Sequence, residues 1–468
     1  MDTVLCDELL QEIFHRVPPP SSAAISLVSR RWRRLLRSST TSLSLRFPPP
    51  YNPTTITSFS TFLTQHPFLS SLSVSGGGGD AEDDPLLLAV AASCPNLRRL
   101  RFLSSPVSLF SLCTLSTSCI HLSSIAITIS RPLSFHWLPY FTSLKSLSLY
   151  IKNSLTETDN PEVGEVKDAS SDVGLSLESL SLCGILPGDY GLSFLWRNCK
   201  NIKKLQLKNC ESIGDNASFL GFLRYLSCLQ KLELRTSRGI VDIVLLTLAE
   251  TCISLDSLLI YDGGSRESLL QFINQSKCSL RKLDLRLPLD LDNSHLIALS
   301  ENLNFRGLVS LRLKSCCLVT GEGLKALGRA MANGLEELAL INCDVVEREL
   351  GLLTTLGQNL KKLRKLDLSY NDMLVDKELV SMLASCSFLV ELKLRGCNKL
   401  TNAAVGSIVR SCKLLQNVDI SYCYGIDTEG VEFLVVNSPR LRQVEVEQSK
   451  LSEVAKTWAS NKFMEIVS

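Results

Sequence analysis

KLRKLDLSYN (362–371), followed by VDKELVSMLASC (375–386), decides how this chain folds. The first segment alternates apolar and polar residues, as a strand does when one of its faces is buried. The second places Val375, Leu379, Met382 and Leu383 at helical spacing, on one face. One strand and one helix cannot bury their own apolar sides. Such a unit needs copies of itself to stack on.

The copies are present. The pattern apolar-x-x-apolar-x-apolar that begins at Leu363 recurs back through Leu335, Leu308, Leu280, Leu255, Leu229, Ile202, Leu177, Leu144, Leu122, Leu97 and Leu69. It continues at Leu389, Leu415 and Leu441. The mean spacing is about 27 residues, inside the 20–29 range of leucine-rich repeats. The expected fold is therefore α/β: a solenoid with parallel strands on its concave face and helices on its convex face. A length of 468 residues would otherwise suggest three domains. Roughly a fifth of the chain is Leu, the residue that stacks such units.

Seventeen cysteines against five histidines fit the same phase. Cys94, Cys119, Cys199, Cys252, Cys386 and Cys412 each sit three residues before a repeat's first apolar residue. Cys210, Cys316, Cys343, Cys397 and Cys423 each sit eight residues after it, a place that Asn371 takes in its own repeat. No C-x-x-C pair exists to hold zinc, so packed thiols are the reading and no metal or other cofactor is expected.

Charge and termini narrow the class. With 49 Lys+Arg against 47 Asp+Glu the net charge is only +2, which argues against coating nucleic acid. The start, MDTVLCDELL, has Asp2, Asp7 and Glu8 where a signal peptide needs basic and then unbroken apolar residues, and no run of 18 apolar residues occurs. The expected residence is nucleus and/or cytoplasm, with no membrane partner.

LVELKLRGCNKLTNAAVGSIVRSC (389–412) resembles the cysteine-containing leucine-rich-repeat family, over roughly residues 69–447. That resemblance implies a ribonuclease-inhibitor-like horseshoe of about 15 units, with residues 41–68 as connector and N-terminal cap. An acidic insert at 151–174 carries Glu157, Asp159, Glu162, Glu165 and Asp168 and reads as a loop, as does the Gly-rich 75–85. At 448–468, Leu451, Val454, Ala455 and Trp458 have helical spacing, suited to closing the open end.

Residues 1–40 do not fit the repeat. Leu5, Leu9, Leu10, Ile13, Phe14 and Val17 form a helical stripe; Pro18–Pro20 end it, Ser21–Ser22 can cap a second helix, and RRWRRLLRS makes a third. These residues, with Leu27, Val28, Ser29, Arg30, Trp32, Arg33 and Leu35, resemble the F-box. One departure stands at Cys6, where that family has Pro. The resemblance implies a substrate receptor of an SCF (Skp–cullin–F-box) ubiquitin ligase. Leu5, Cys6, Leu9, Leu10, Ile13, Val17, Val28, Trp32 and Leu35 would then meet the Skp adaptor, and through it cullin. The plainer alternative is that they only fill the core of a small cap. The run Arg30, Arg31, Arg33 and Arg34 reads as a solvated helix face, with a nuclear import signal as the alternative.

If repeat positions one, four and six point inward, positions three, five and seven face the groove. Lys204, Lys208, Lys231, Arg235, Tyr261, Lys282, Arg286, Arg312, Lys314 and Arg395 then make a basic client-binding face that turns mixed or acidic beyond Lys314. Glu233 and Asp284 offset part of it. An acidic or phosphorylated client segment, or an anionic small molecule, is one reading and a generic solvated strand face the other. No motif joins the five histidines to a nucleophile, so no catalytic residue is expected. Two function classes follow: a non-catalytic substrate receptor within a ligase, or a leucine-rich scaffold or ligand receptor outside one.

Overall fold

In the computed structural model, residues 5–17, 22–47, 52–76, 84–153, 174–287 and 290–467 are described. The loops expected within 151–174 and 75–85 fall largely outside these residues, as do Pro18–Pro20 and Ser21. Two compact units divide the chain, Met1–Tyr225 and Leu226–Ser468.

The first unit opens with three helices, α1 (Asp7–Arg16), α2 (Ser22–Val28) and α3 (Arg30–Ser39). Among the described residues seven strands follow: β1 (Ser42–Phe47), β2 (Ser71–Gly76), β3 (Arg99–Pro106), β4 (Ser124–Ser130), β5 (Ser146–Lys152), β6 (Ser179–Cys183) and β7 (Lys204–Lys208). Each pairs in parallel with the next, and Leu43, Leu72, Leu100, Ile125, Leu147, Leu180 and Leu205 share one register column. β1 and the helix after it, α4 (Pro53–Thr64), form a strand–helix unit ahead of Leu69. SLSLRF alternates as a strand must, and its apolar residues are half-buried.

Among its described residues the second unit has ten strands: β8 (Lys231–Arg235), β9 (Ser257–Tyr261), β10 (Lys282–Arg286), β11 (Ser310–Lys314), β12 (Glu337–Ile341), β13 (Lys365–Asp367), β14 (Glu391–Lys393), β15 (Asn417–Asp419), β16 (Gln443–Glu445) and β17 (Glu465–Val467). They are parallel too, with Leu232, Leu258, Leu283, Leu311, Leu338, Leu366, Leu392, Val418, Val444 and Ile466 in one column. The strands and helices after α3 in the first unit, and those of the second, thus each form an α/β leucine-rich-repeat solenoid. Fully burying one such Leu is worth about 1.5–3 kcal/mol. A one-residue slip would turn the whole column outward, so the register is tightly specified.

Strand hands over to helix through a left-handed residue. Asn209, Thr236, Asp262, Leu287, Ser315, Asn342, Tyr370 and Tyr422 all have φ between +49° and +61°, and Gly396 holds the same place at +73°. They lie just past their strands and leave the outward-facing strand side chains at the edge of a sharp bend.

Two helical faces differ from expectation. Val375 is the N-cap of the helix Asp376–Leu383 and is exposed; Leu379, Met382 and Leu383 are buried. The cap position points away from the core because its backbone is still extended. In the last helix, Glu453–Asn461, Ala455 and Ala459 are buried while Val454 and Trp458 are exposed. Alanine lets that helix lie close. Lys462 covers the Trp458 ring instead, 4.7 Å from its centroid.

All eleven column cysteines are buried, and Cys317, the neighbour that falls off its column, is exposed. Burial pushes the thiols of Cys94, Cys199 and Cys412 up to about 12. These three are inert packing groups.

Candidate functional site

α1 and α3 clasp through Leu10, Phe14 and Leu35, with Leu5, Ile25, Trp32 and Leu36 packed against them. Phe14 and Trp32 stand 5.4 Å apart, ring to ring. Arg31 ties the two helices, donating to Asp7 Oδ1 at 2.6 and 2.9 Å and to the Leu5 carbonyl at 2.8 Å. Ser29 caps α3 by accepting from the Trp32 amide. The Trp32 indole nitrogen is buried without an acceptor among the described residues.

With that core filled, other apolar side chains are left over. Leu9 and Ile13, one turn apart on α1, are 53% and 45% exposed; Leu27 and Val28 on α2 are 77% and 58% exposed. Four large apolar residues are thus left exposed in so small a module.

The outward side chains of β8–β11 carry six cations, Lys231, Arg235, Lys282, Arg286, Arg312 and Lys314, against the carboxylates Glu233 and Asp284. Those of β12–β16 reverse the sign: Glu337, Asp367, Glu391, Asp419 and Glu445 against Lys365 and Lys393. The arginines are engaged within this face. Arg235 pairs with Glu233, and Arg286 forks onto Asp284 at 2.6 and 2.8 Å. Arg312 reaches Glu337 at 2.8 Å, Asp367 at 3.1 Å and Asp284 at 3.8 Å. Arg395 lies 3.9 Å from Asp419 and 4.9 Å from the centroid of the Tyr422 ring. Burial works against the Arg312 charge, but its carboxylate partners outweigh that and raise its pKa. Burial would also raise Glu337; hydrogen bonds from Arg312 and Ser310 hold it below the usual carboxylate range.

The F-box domain family matches residues 3–41, and a leucine-rich-repeat family matches residues 308–328. The chain carries an F-box ahead of leucine-rich repeats. Its fold is also similar to a solved structure, that of the Rad7 and Elc1 complex in yeast. That likeness covers 96% of this chain and 90% of the other, at 16% identity and a TM-score of 0.40.

Within the F-box, the residues expected to meet an adaptor separate into three groups. Cys6, Leu9, Ile13 and Val28 are exposed, whereas Leu10 and Leu35 are spent on the core that holds the module together. Leu5, Val17 and Trp32 are half-buried. Leu27, the most exposed of the apolar set, belongs with the first group, and the motif position before Val28 was its signal in the sequence.

On the repeats, Lys231, Lys282 and Lys314 have no ion-pair partner among the described residues, so they present unspent charge. Lys231 and Lys282 are exposed and Lys314 half-buried. In the first unit, Lys204 and Lys208 project half-buried from β7. Tyr261 is half-buried at the end of β9. Arg235, Arg286, Arg312 and Arg395 already hold carboxylates, so any client contact there is shared. Pairing of Arg312 with Asp367, two strands away from it, is the feature that spacing along one strand does not reveal. His295, an orphan in sequence terms, is fully buried in a capping box with Asp292 and bonds the Arg266 carbonyl at 3.0 Å.

Proposed function

We propose that this chain is the substrate-recognition subunit of an SCF-type E3 ubiquitin ligase. The F-box would bind the Skp adaptor, and through it cullin, while the repeats hold a client protein for ubiquitination and proteasomal degradation. The observation that carries this reading is the division of labour in the F-box: Leu10, Phe14 and Leu35 fill the core, and Leu9, Ile13, Leu27 and Val28 are left outside. A module that only capped the solenoid would have no use for an exposed apolar face. Helix-against-helix docking would bury it.

The chain itself would act by proximity, holding a client near the conjugating enzyme without catalysing the transfer. The client segment that fits β8–β11 is acidic or phosphorylated, because the unspent charges there are Lys231, Lys282 and Lys314.

Co-expression with a Skp-family adaptor, followed by affinity purification, tests the reading. The full chain should carry the adaptor, and Leu9→Glu/Ile13→Glu should lose it with an unchanged circular-dichroism spectrum. Wild-type chain that purifies without an adaptor would instead favour a scaffold or ligand receptor outside any ligase.

A further inference from the structure

α3 holds five arginines and no carboxylate in ten residues. Arg31 is consumed by Asp7 and the Leu5 carbonyl. The other four, Arg30, Arg33, Arg34 and Arg37, are spaced by three and four residues and so share one stripe of the helix. They line a hollow of about 410 Å³ whose other side is formed by Thr64, Gln65 and Pro67, at the end of α4 and just beyond it.

The arginines elsewhere on this chain's groove are matched with carboxylates: Arg235 with Glu233, Arg286 with Asp284, Arg312 with three. On this stripe only Arg34 has a carboxylate in reach. Arg33 donates to the Ser26 carbonyl, at 3.0 Å, and Arg34 stays 3.9 Å from Asp7. Among the described residues, Arg30, Arg33 and Arg37 have no carboxylate within ion-pair distance. Like charges at i, i+4 on a helix repel, each pair costing a few tenths of a kcal/mol, and two such pairs stand here. The buried imidazole of His66 registers the field: burial lowers its pKa, the hydrogen bond to Phe62 opposes this, and the Arg37 charge lowers it further.

Four arginines bordering one open hollow suit one chemistry above others. Planar N–H pairs fit the oxygens of phosphate, and each fork contributes two charge-assisted bonds. The hollow lies in the size range of small-molecule sites. It differs in kind from the apolar surface of Leu9, Ile13, Leu27 and Val28. We infer that the hollow between α3 and residues 64–67 binds a small, soluble oligophosphate of at least two negative charges, with Arg30 and Arg37 as its free cations.

Isothermal titration of the full chain with inorganic pyrophosphate tests this, with sulfate and an unphosphorylated Glu-rich peptide as parallel probes. The expected result is saturable one-to-one binding of pyrophosphate, stronger than that of sulfate. Arg30→Glu/Arg37→Glu should weaken it at least tenfold, Arg37→Lys should weaken it less, and Lys282→Glu on the groove should leave it unchanged. The His66 ring, followed by NMR, should titrate at higher pH when pyrophosphate is bound, a readout that loss of folding would not mimic. Pyrophosphate binding that never saturates, or that survives Arg30→Glu/Arg37→Glu, overturns the inference. So does tighter binding of the Glu-rich peptide, which would make the stripe a contact for an acidic protein segment. None of these outcomes depends on the adaptor reading.

Discussion

The amide of Cys343 donates to the side-chain oxygen of Asn371 at 2.9 Å, joining two residues that hold the same place in adjacent repeats. Asn371 is almost fully buried, and its amide group donates to the carbonyls of Leu340 at 2.8 Å and Leu368 at 2.7 Å. The cysteines of that column use the same acceptor one repeat back: Cys397 bonds the Leu368 carbonyl at 3.2 Å, and Cys423 the Leu394 carbonyl at 2.9 Å. Asparagine and cysteine are thus two solutions to one problem, a carbonyl stranded at the bend after each strand. Asn371→Ala takes these partners from the Cys343 amide and the Leu340 carbonyl, the Leu368 carbonyl keeping the Cys397 thiol, and should cost about 2–4 kcal/mol. Asn371→Cys restores one donor and should cost roughly half as much. Urea denaturation of the two variants checks the order; equal losses would mean that the hydrogen bonds contribute little.

The repeat was legible because its signals are local. Leu363, Leu366 and Leu368 recur in every unit as the same apolar positions, and a column of such residues fixes strand, register and burial together. The columns of cysteine were legible for the same reason. Three features were not. Val375 and Trp458 have helical spacing yet face solvent, since a cap residue and a helix's rotation depend on the neighbouring unit. β1 was hidden because SLSLRF lacks the leading apolar residue that marked other strands. And the neutralisation of the groove arginines is a cross-strand matter: Arg312 meets Asp367 only after two intervening turns of the chain bring them together at 3.1 Å. Charge along a sequence gives the sign of a surface, and pairing decides how much of it remains.

Core and face of the F-box should respond differently to truncation. Leu10→Ala empties a fully buried site and should destabilise the module by about 2–5 kcal/mol, with adaptor association falling as folding falls. Leu9→Ala removes surface that is half exposed, so stability should hold within about 0.5 kcal/mol while association weakens. Melting curves and adaptor pull-downs on the same samples separate the two. A Leu9→Ala protein that melts early would place Leu9 in the core.

Cys6 already has the angle that proline imposes. It is the N-cap of α1 at φ −70°, exposed, and makes no side-chain cap. Cys6→Pro therefore fits the folded backbone and restricts the unfolded one, which should stabilise the F-box by about 0.4–1 kcal/mol. Adaptor binding should strengthen or stay level. A lower melting temperature in Cys6→Pro would show that the residue's amide or thiol has a role of its own.

Stability should fall on the acid side for a specific reason. Asp84 accepts from the Ser108 amide at 2.9 Å and the Ser111 hydroxyl at 2.7 Å; Asp242 accepts from Ser265 and Ser268 in the same arrangement, at 2.8 and 2.5 Å. Burial would raise both carboxyls, but these hydrogen bonds outweigh it and hold them below the ordinary range. A pKa lower in the folded than in the unfolded chain gives stability that is complete well above about pH 4 and is lost as pH falls through the folded value. The melting temperature should accordingly drop below about pH 4, and Asp84→Asn/Asp242→Asn should flatten that limb. An unchanged acid limb in the double variant would assign the effect to other carboxylates.

The sign reversal along the groove of the second unit predicts how client binding responds to charge. Lys231, Lys282 and Lys314 are unspent on β8–β11, while Arg286 holds Asp284 with two hydrogen bonds. Lys231→Glu/Lys282→Glu/Lys314→Glu should therefore reduce capture of an acidic client by about tenfold or more without lowering the melting temperature, because no internal pair is broken. Arg286→Ala acts on both properties, since it leaves a half-buried Asp284 short of a partner and should cost about 1–3 kcal/mol of stability. The remaining contact from Arg312, at 3.8 Å, is too long to replace it. Raising salt should weaken client capture by the wild type far more than by the lysine variant, since exposed charges are screened over about 8–10 Å. Proximity proteomics with each variant, scored by the charge of the proteins lost, measures the effect. If the triple lysine variant keeps the same clients, recognition lies elsewhere than on β8–β11, and the groove's polarity serves the stability of the solenoid alone.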